Sequence, residues 1–499
     1  MSERSGESIL SGEPTFRSFF MGGFECASHR LRTGERLDML EATAHDRHAA
    51  ADYRRLHEQG IRVARDGIRW HLIERSPYEY DFSSVVPMLR AARETETQVI
   101  WDLCHYGWPD DLDIFSPEFI RRFASMVRAF ARVLDAESDE APFLAPVNEI
   151  SFFAWAGGES AYLNPFETER PHELKAQLVR AAIEAIEAAW EVNPRARIVH
   201  TDPVINVVAD LTRPEEAEIA EYYRLLMYQA WDMLAGRRRP ELGGAEKYLD
   251  IVGVNYYPYN QWVYGDKRFH PERWLDVSDP QYRPFSDLVR EVYERYRRPI
   301  FVAETGTEFH WRTSWLRYMG GEVCDTLRLG VPLEGVCLYP IVNYPGWGDG
   351  RHCENGLWDY ADERGQREIY APMAEELRRQ QTAIEDLLRT SLCLSDRFIF
   401  GRMDTVFTWD KDKAKQNLKK HHISFEEAIT VFADPLSLTI PDPLHSEEER
   451  RLVITGLSHR QRQIVVVFTD RGEEIRIISA RPATSRERKQ YEEGTEYRA

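Results

Sequence analysis

The chain is poor in the features that mark several protein classes. Its six cysteines are scattered without Cys-x-x-Cys spacing, which argues against a disulfide-stapled secreted domain or a zinc ribbon. No apolar run reaches the length of a membrane span, and Met1–Phe16 is polar and acidic, without the apolar segment of a signal peptide. A phosphate-binding glycine loop is also missing. We therefore expect a cytoplasmic protein with reduced thiols, no membrane partner, no metal and no cofactor.

An excess of basic charge is missing as well. The net charge of −19 argues against a nucleic-acid footprint over the whole molecule. From Asp404 onward, however, basic and acidic residues are nearly equal in number, so the negative charge lies upstream. With 499 residues, of which 43% are hydrophobic, the chain is long enough for one large domain and an appendage.

Eight short apolar runs, rich in Val and Ile, alternate with helical patterns. The runs are hydrophobic at consecutive positions, which is typical of strands buried on both faces of a parallel sheet. They are Phe19–Phe24, Gly60–Trp70, Gln98–His105, Phe143–Glu149, Arg197–Val204, Leu249–Tyr257, Pro299–Glu304 and Leu333–Val342. Helical patterns such as Pro117–Leu134 and His172–Val192 lie between them. This rhythm predicts an α/β fold, a (β/α)8 TIM barrel.

A second domain is expected after the barrel. An amphipathic helix, Pro372–Leu388, closes a barrel domain of residues 1–390, and residues 391–403 are expected to be a linker. Residues 404–499 follow the order β-α-α-β-β-β-β-α, which predicts a small α+β domain. Its first helix is Lys411–His421, and Ser424 with Glu427 forms a capping box for the second. A hairpin turn is expected at Asp470–Gly472.

Two glutamates end apolar runs that count as strands four and seven of the barrel. They lie in Val147-Asn148-Glu149-Ile150 and Ala303-Glu304-Thr305-Gly306. Barrel enzymes place catalytic groups at the C-terminal ends of their strands, and glycosidases flank the bond that they cleave with two carboxyl groups. We therefore expect Glu149 to be a general acid/base and Glu304 a nucleophile, with Asn148 binding the sugar 2-hydroxyl.

Residues 17–360 resemble the β-glucosidase-type enzymes of glycoside hydrolase family 1, a family of retaining glycosidases. Besides the two glutamate motifs, the resemblance rests on Arg65–Trp70, His105–Pro109 and Asn255–Tyr257. It implies that His105 contacts the sugar. It also implies that Arg65 and Tyr257 hold the carboxylate of Glu304.

The barrel departs from that family at two sugar-binding positions. The segment Asn343–Trp347 lacks the glutamate that members carry at the end of strand eight, and Arg30 in Ala27–Arg30 stands where glutamine is usual. A lost carboxylate and a gained cation lead to the hypothesis of an anionic or modified sugar, with Trp347 as a stacking surface. A degenerate barrel that binds sugar without cleaving it is the alternative.

The segment Phe407–Glu493 resembles the BrnT family of type II toxins, small ribonucleases with a RelE-like fold. The strings that carry the resemblance are Phe407–Asp410, Lys413 with Asn417, Lys420-His421, Ser424–Ala428, Phe432–Pro435 and Arg476–Arg481. The resemblance implies metal-free cleavage of RNA and a BrnA-like antitoxin as partner.

The side chains expected to form a ribonuclease site are cationic, because cations stabilise charge on phosphate oxygens. They are Lys413, Lys420, His421, Arg476 and Arg481. A regular strand would point Arg476 and Arg481 to opposite faces, so both can serve one site only if the strand ends or bulges before Pro482. An attenuated or antitoxin-binding module remains an alternative, as does a chance fusion of two neighbouring genes.

Overall fold

The computed structural model describes residues 14–265, 271–400, 406–433, 438–441, 451–458, 462–470 and 474–496. The chain divides into two compact units, Met1–Leu387 and Leu388–Ala499.

The first unit is built on eight parallel strands that close into a barrel. They are β1 (Phe20–Gly23), β2 (Val63–Gly67), β3 (Gln98–Asp102), β4 (Phe143–Ala145), β5 (Arg197–Pro203), β6 (Ile251–Asn255), β7 (Ile300–Thr305) and β8 (Leu333–Leu338). Each strand lies within or overlaps one of the eight predicted runs. The barrel closes because β1 pairs with β8 on one side and with β2 on the other. The predicted (β/α)8 barrel is confirmed.

Apolar side chains fill the inside of the barrel. Met21, Val63, Ile100 and Phe301 belong to one buried cluster there. Phe16, which precedes β1, belongs to the same cluster, and its ring centroid lies 5.0 Å from that of Phe301. The barrel is therefore a packed core, and its chemistry is confined to the ends of the strands.

Helices cover the outside of the barrel. They are α1 (Met39–Ala42), α2 (His45–Glu58), α3 (Trp70–Ile73), α4 (Val86–Glu94), α5 (Pro117–Glu137), α6 (Ile150–Gly158), α7 (Pro171–Val192), α8 (Ala217–Leu225), α9 (Gln229–Leu234), α10 (Phe285–Tyr296) and α11 (Trp311–Arg328). The next helix, α12 (Ala371–Phe400), begins in this unit and continues past its end at Leu387. Among the described residues, no helix has both the length and the apolar character that crossing a bilayer requires.

Shorter elements lie in the loops. The additional strands are Glu74–Ser76, Glu79–Tyr80, Asn206–Val208, Gln261–Val263, Arg273–Trp274, Tyr344–Pro345, His352–Cys353, Trp358–Ala361 and Arg367–Ile369. The 3-10 helices are Phe82–Ser84, Pro214–Glu216, Leu226–Tyr228, Pro240–Leu242, Glu246–Tyr248 and, in the second unit, Ile429–Ala433.

Helix α12 continues beyond the predicted end at Leu388. It runs to Phe400, so residues 391–400 of the expected linker are helical. The physical reason is that Ser391–Phe400 contains neither proline nor glycine, and the first such residue is Gly401. The rest of the expected linker lies outside the described residues.

In its described part after α12, the second unit contains a five-stranded sheet and three α-helices. In chain order the elements are β9 (Val406–Thr408), α13 (Lys411–His421), α14 (Phe425–Ala428), β10 (Leu438–Pro441), β11 (Arg451–Leu457), β12 (Gln463–Asp470), β13 (Glu474–Pro482) and α15 (Ser485–Glu496). The spatial order is β9-β13-β12-β11-β10, with β9 parallel to β13. This confirms the predicted small α+β fold. The expected hairpin turn falls on Arg471 and Gly472, outside the described residues.

Candidate active sites

Both glutamates lie where the barrel strands end. Glu304 is part of β7, and Glu149 follows β4 directly before α6. The backbone N–H of Glu149 donates to the carbonyl of Thr201 on β5 at 3.1 Å, which ties this loop to the neighbouring strand. Both side chains are buried. Because parallel strands end at the same mouth of a barrel, both carboxyl groups belong to one site.

The carboxylate of Glu304 is held from two sides. Nη1 of Arg65 donates to Oε1 at 2.6 Å, and the hydroxyl of Tyr257 donates to Oε2 at 2.8 Å. Arg65 is fully buried and also forms an ion pair with Asp102 at 2.8 Å. These contacts fix the position of the carboxylate and leave it no freedom to rotate. The structure thus brings Arg65 and Tyr257 to Glu304, as the sequence predicts.

The surroundings of Glu149 differ from those of Glu304. Its Oε1 accepts a hydrogen bond from Nδ2 of Asn255 at 2.8 Å, and its Oε2 accepts one from the hydroxyl of Tyr106. Burial, and next the charge of Glu304, raise the pKa of Glu149 well above its ordinary value. A carboxyl group with a raised pKa retains its proton, as a general acid must.

Asn148 connects the two halves of the site. Its Oδ1 accepts from Nη2 of Arg65 at 2.6 Å and from Thr201 at 2.7 Å. Its Nδ2 donates to Nε2 of His105 and to the hydroxyl of Tyr106, both at 3.0 Å. All four hydrogen-bonding positions of the amide are therefore used within the protein. The amide is thus held in position by protein groups, and its contact with a sugar 2-hydroxyl stays a prediction.

His105 lies in the same network. Because its Nε2 accepts from Asn148, its proton belongs on Nδ1, which lies 3.0 Å from Oδ2 of Asp102. Sγ of Cys26 lies 3.2 Å from the same nitrogen. Cys26, Asp102 and His105 are close enough together to bind a metal ion. The adjacent guanidinium of Arg65 on Asp102 makes the cluster electrostatically unfavourable for a cation.

Two predicted sugar-binding residues lie at the rim. Arg30 donates through Nε to Asp110 at 2.8 Å and through Nη1 to the carbonyl of Gly34 at 2.7 Å. The ring of Trp347 lies 5.7 Å from that of Tyr106, and both Arg30 and Trp347 line a cavity of 860 Å³. The structure thus brings Trp347 close to the carboxyl pair, but it pairs Arg30 with an acidic side chain.

Sequence reasoning missed two residues of the site. Tyr106 directly follows His105 in the motif His105–Pro109, and only its contact with Glu149 reveals its importance. Glu25 is buried beyond the end of β1, and its Oε1 lies 3.7 Å from Nε2 of His105. Glu25 directly follows the predicted strand Phe19–Phe24, so the signal that identified Glu149 and Glu304 was present there too.

In the second unit, a bulge aligns the two expected arginines. Arg476 is opposite Thr469 and Arg481 is opposite Val465, because Ile478 is an extra residue in β13. Thr469 and Val465 are four positions apart and share one face of β12. The bulge therefore brings Arg476 and Arg481 to the same face of the sheet. Because β13 bulges before Pro482, both arginines can serve one site.

The end of α13 meets this face at Arg481. The pKa of His421 is lowered by burial and by the charges of Lys420 and Arg481, so these two cations lie near its ring. Arg481 is not free, because Glu487 accepts from both of its terminal nitrogens, at 2.7 and 2.8 Å. Lys413 lies two turns before Lys420 on α13 and is exposed.

The buried side-chain amide of Asn417 joins helix α13 to β13 through hydrogen bonds. Oδ1 of Asn417 accepts from the backbone N–H of Ala480 at 3.0 Å, and Nδ2 donates to the Ala480 carbonyl at 2.8 Å. Nδ2 also donates to the carbonyl of Ile423 at 3.0 Å. The amide replaces strand pairing there, because β9 pairs with β13 only as far as Arg476.

Comparisons with known proteins agree with the two units. The family model of the ribonuclease toxin BrnT, of type II toxin-antitoxin systems, matches residues 409–487. No curated protein matches the chain.

Solved structures match the barrel. A family 1 β-glucosidase from Thermotoga maritima is 15% identical, with 72% of this chain matched to 96% of that chain and a TM-score of 0.58. The AHE enzyme from Alicyclobacillus herbarius is 18% identical, with 69% and 88% covered and a TM-score of 0.57. At these identities the likeness establishes the fold. The chain therefore joins a barrel with the fold of the family 1 β-glucosidases to a C-terminal segment that matches the BrnT toxin family.

Proposed function

We propose that the barrel is a retaining β-glycosidase in which Glu304 is the nucleophile and Glu149 the general acid/base. The observation that carries the proposal is the difference between the two carboxyl groups. Glu304 is oriented by a guanidinium and a phenol, whereas Glu149 has neutral partners and a pKa raised by burial and by Glu304. Two carboxyl groups with opposed environments are the pattern expected of an acid and a nucleophile.

The reaction would proceed in two displacements. An oxygen of Glu304 attacks C1 of the sugar while Glu149 donates its proton to the leaving oxygen, which breaks the glycosidic bond and forms a glycosyl ester on Glu304. Glu149, now a carboxylate, then accepts a proton from water, whose oxygen attacks C1 and releases Glu304. Arg65 and Tyr257 keep the ester oxygens aligned through both steps.

The stereochemistry of the product tests this proposal. We expect an aryl β-glycoside to give the β-anomer as first product in a time-resolved proton NMR experiment, and Glu304→Gln to abolish turnover. An α-anomer as first product would identify an inverting enzyme. Binding of sugars without turnover would favour the degenerate barrel.

For the second unit we propose metal-free cleavage of RNA. A base removes the proton of a ribose 2′-hydroxyl, whose oxygen attacks the adjacent phosphorus and displaces the 5′-oxygen of the next nucleotide. Lys420, His421, Arg476 and Arg481 would bind the phosphate and stabilise its added charge. The bulge at Ile478, which aligns both arginines, supports a shared site. We further propose that the protein acts in the cytoplasm and that a BrnA-like antitoxin binds this unit.

Cleavage of a labelled RNA by the full chain in EDTA tests the second proposal. We expect cyclic phosphate ends, and a loss of cleavage in Arg476→Ala. A control variant, Arg488→Ala, removes an exposed arginine of α15 and should retain the activity. If no RNA is cleaved and a BrnA-like antitoxin still binds, the module is a binding domain.

A further inference from the structure

We propose that Glu25 binds the hydroxyl edge of the sugar and makes the subsite selective for uncharged pyranosides. The inference rests on the proposed glycosidase function of the same barrel. It names a specificity-determining residue and offers an alternative to the hypothesis of an anionic sugar, which rested on Arg30 and on the glutamate missing after β8.

Glu25 is a buried carboxyl group that the reaction itself does not use. Its side chain is 6% exposed and extends from the end of β1. Oε1 accepts from the backbone N–H of Ala27 at 2.9 Å and lies 3.7 Å from Nε2 of His105. Burial raises the pKa of Glu25, and His105, Glu304 and Arg65 are among the charges that act on it. A carboxyl group at this depth accepts hydrogen bonds from sugar hydroxyls, as the glutamate missing after β8 would.

The charges around the pocket disfavour an anionic sugar. Arg65 is already bound to Glu304, to Asp102 and to the amide of Asn148. At the rim, Arg30 and Arg36 both pair with Asp110. A carboxylate or phosphate on the sugar would therefore approach the carboxyl groups of Glu25 and Glu304, whereas Arg65, Arg30 and Arg36 are already paired with carboxylates of the protein.

Three buried polar atoms near the barrel mouth point to an uncharged ligand, and the rings of two of their residues, His29 and Trp347, lie 5.1 Å apart. Nδ1 of His29, the hydroxyl of Tyr339 and Nε1 of Trp347 have no hydrogen-bond partner within the protein. Burial, and next the charge of Glu25, raise the pKa of the Tyr339 hydroxyl, so the two groups are neighbours. Burial, His105 and Arg36 lower the pKa of His29 to about 4, which leaves its ring neutral. Buried polar atoms in proteins normally have hydrogen-bond partners. The hydroxyl groups of an uncharged sugar would supply the partners that these three atoms lack.

A set of aryl β-glycosides tests the proposal on the unmodified full chain. The set contains neutral hexosides, the corresponding glucuronide and the 6-phosphoglucoside. We expect kcat/KM to be at least 10-fold higher for the best neutral glycoside than for either anionic one. A preference for an anionic glycoside overturns the proposal, and this comparison needs no variant to fold.

Monodeoxy substrates identify the contact made by Glu25. In the wild type, removal of one particular hydroxyl should lower kcat/KM by about 10- to 100-fold, because a buried carboxyl group is left without its hydrogen-bond partner. In Glu25→Gln that hydroxyl should matter less than 5-fold, while the other hydroxyls retain their effects. Glu58→Gln, which changes an exposed glutamate of α2, serves as control.

A purely structural role for Glu25 predicts a different pattern. It would lower the activity on all deoxy substrates by the same factor, and that result overturns the proposal. Trapping of a glycosyl ester on Glu304 distinguishes a failure of the Glu25 proposal from a failure of the glycosidase proposal. If the ester forms but Glu25→Gln changes nothing, only the inference about Glu25 fails, whereas the absence of any ester and any turnover defeats the glycosidase proposal itself.

Discussion

The hydroxyl of Tyr106 donates a hydrogen bond to Oε2 of Glu149, and both residues have left-handed backbone conformations. Their φ angles are 64° and 47°. Such conformations are unfavourable for residues other than glycine, and they persist where the surrounding structure enforces them. Here they turn a tyrosine after β3 and a glutamate after β4 toward each other. The backbone conformations of these two residues therefore set the position of the Glu149 carboxyl group, the proposed general acid.

Replacement of Tyr106 by phenylalanine should change the acidity of Glu149. The hydrogen bond from Tyr106 lowers the pKa of Glu149 against the larger effects of burial and Glu304. Without it, that pKa rises further, and the basic limb of the kcat/KM profile should move to higher pH by about 0.5–1 unit. Tyr222→Phe, at an exposed position, should leave the profile unchanged. A shift to lower pH would contradict this assignment of the acid.

His45 should make the stability of the barrel depend on pH. It is fully buried, and its two nitrogens each lie 2.8 Å from a carboxylate, of Asp52 and of Asp66. Burial lowers its pKa, but the two carboxylates outweigh burial and raise it to about 9. Because the folded-state pKa is the higher one, this stabilisation is complete below about pH 6.5 and is lost as the pH rises through 9.

Urea unfolding at several pH values measures this effect. We expect the free energy of unfolding of the wild type to fall by on the order of 3 kcal/mol relative to His45→Gln between pH 6 and pH 10. His48→Gln, on the same helix, serves as the matched control. Parallel pH dependence of the wild type and His45→Gln would show that His45 is neutral in the folded protein.

Asn417 should matter for stability rather than for RNA binding. Replacement by alanine leaves the backbone N–H and carbonyl of Ala480 without partners in a buried place. We expect the second unit to lose about 2–3 kcal/mol of unfolding free energy. Gln416→Ala, at the exposed neighbouring position, should cost less than about 0.5 kcal/mol. Denaturant unfolding of the full chain, followed by hydrogen exchange in α13, measures both.

Glu487 should restrain the proposed ribonuclease site. It occupies both terminal nitrogens of Arg481, and this arginine, with Thr484, lowers the pKa of Glu487 to about 2. Glu487→Gln keeps an acceptor for Thr484 but removes the charge, so Arg481 becomes available to a phosphate. RNA cleavage should rise about 3- to 10-fold. The gain should vanish in the double variant with Arg481→Ala, and a gain that survives there would contradict the mechanism.

The fold was predictable where local chemistry determines it. The eight barrel strands are buried on both faces, so their apolar runs stand out against the amphipathic helices. Helix α13 has its predicted bounds, and Ser424 caps α14 by accepting from the N–H of Glu427 at 3.1 Å. The predicted end of α12 was wrong because Ser391–Phe400 contains no glycine or proline that would stop the helix.

The candidate site was predictable only in part. Arg65 and Tyr257 lie on their expected partner because strand ends fix their positions. The partner of Arg30 depends on a loop that contains Asp110, and spacing along the chain does not reveal that pair. Arg476 and Arg481 share a face of the sheet because of the bulge at Ile478, and no residue type in the sequence predicts that bulge.

Trapping of the glycosyl ester is the most direct test of the glycosidase proposal. The full chain is incubated with 2-deoxy-2-fluoro glycosides, neutral and anionic, and then analysed by intact mass and peptide mapping. We expect one adduct per chain, on Glu304, which is absent in Glu304→Gln. An adduct on another residue, or none with any sugar while sugars still bind, would contradict the assignment of Glu304 as the nucleophile of a retaining glycosidase.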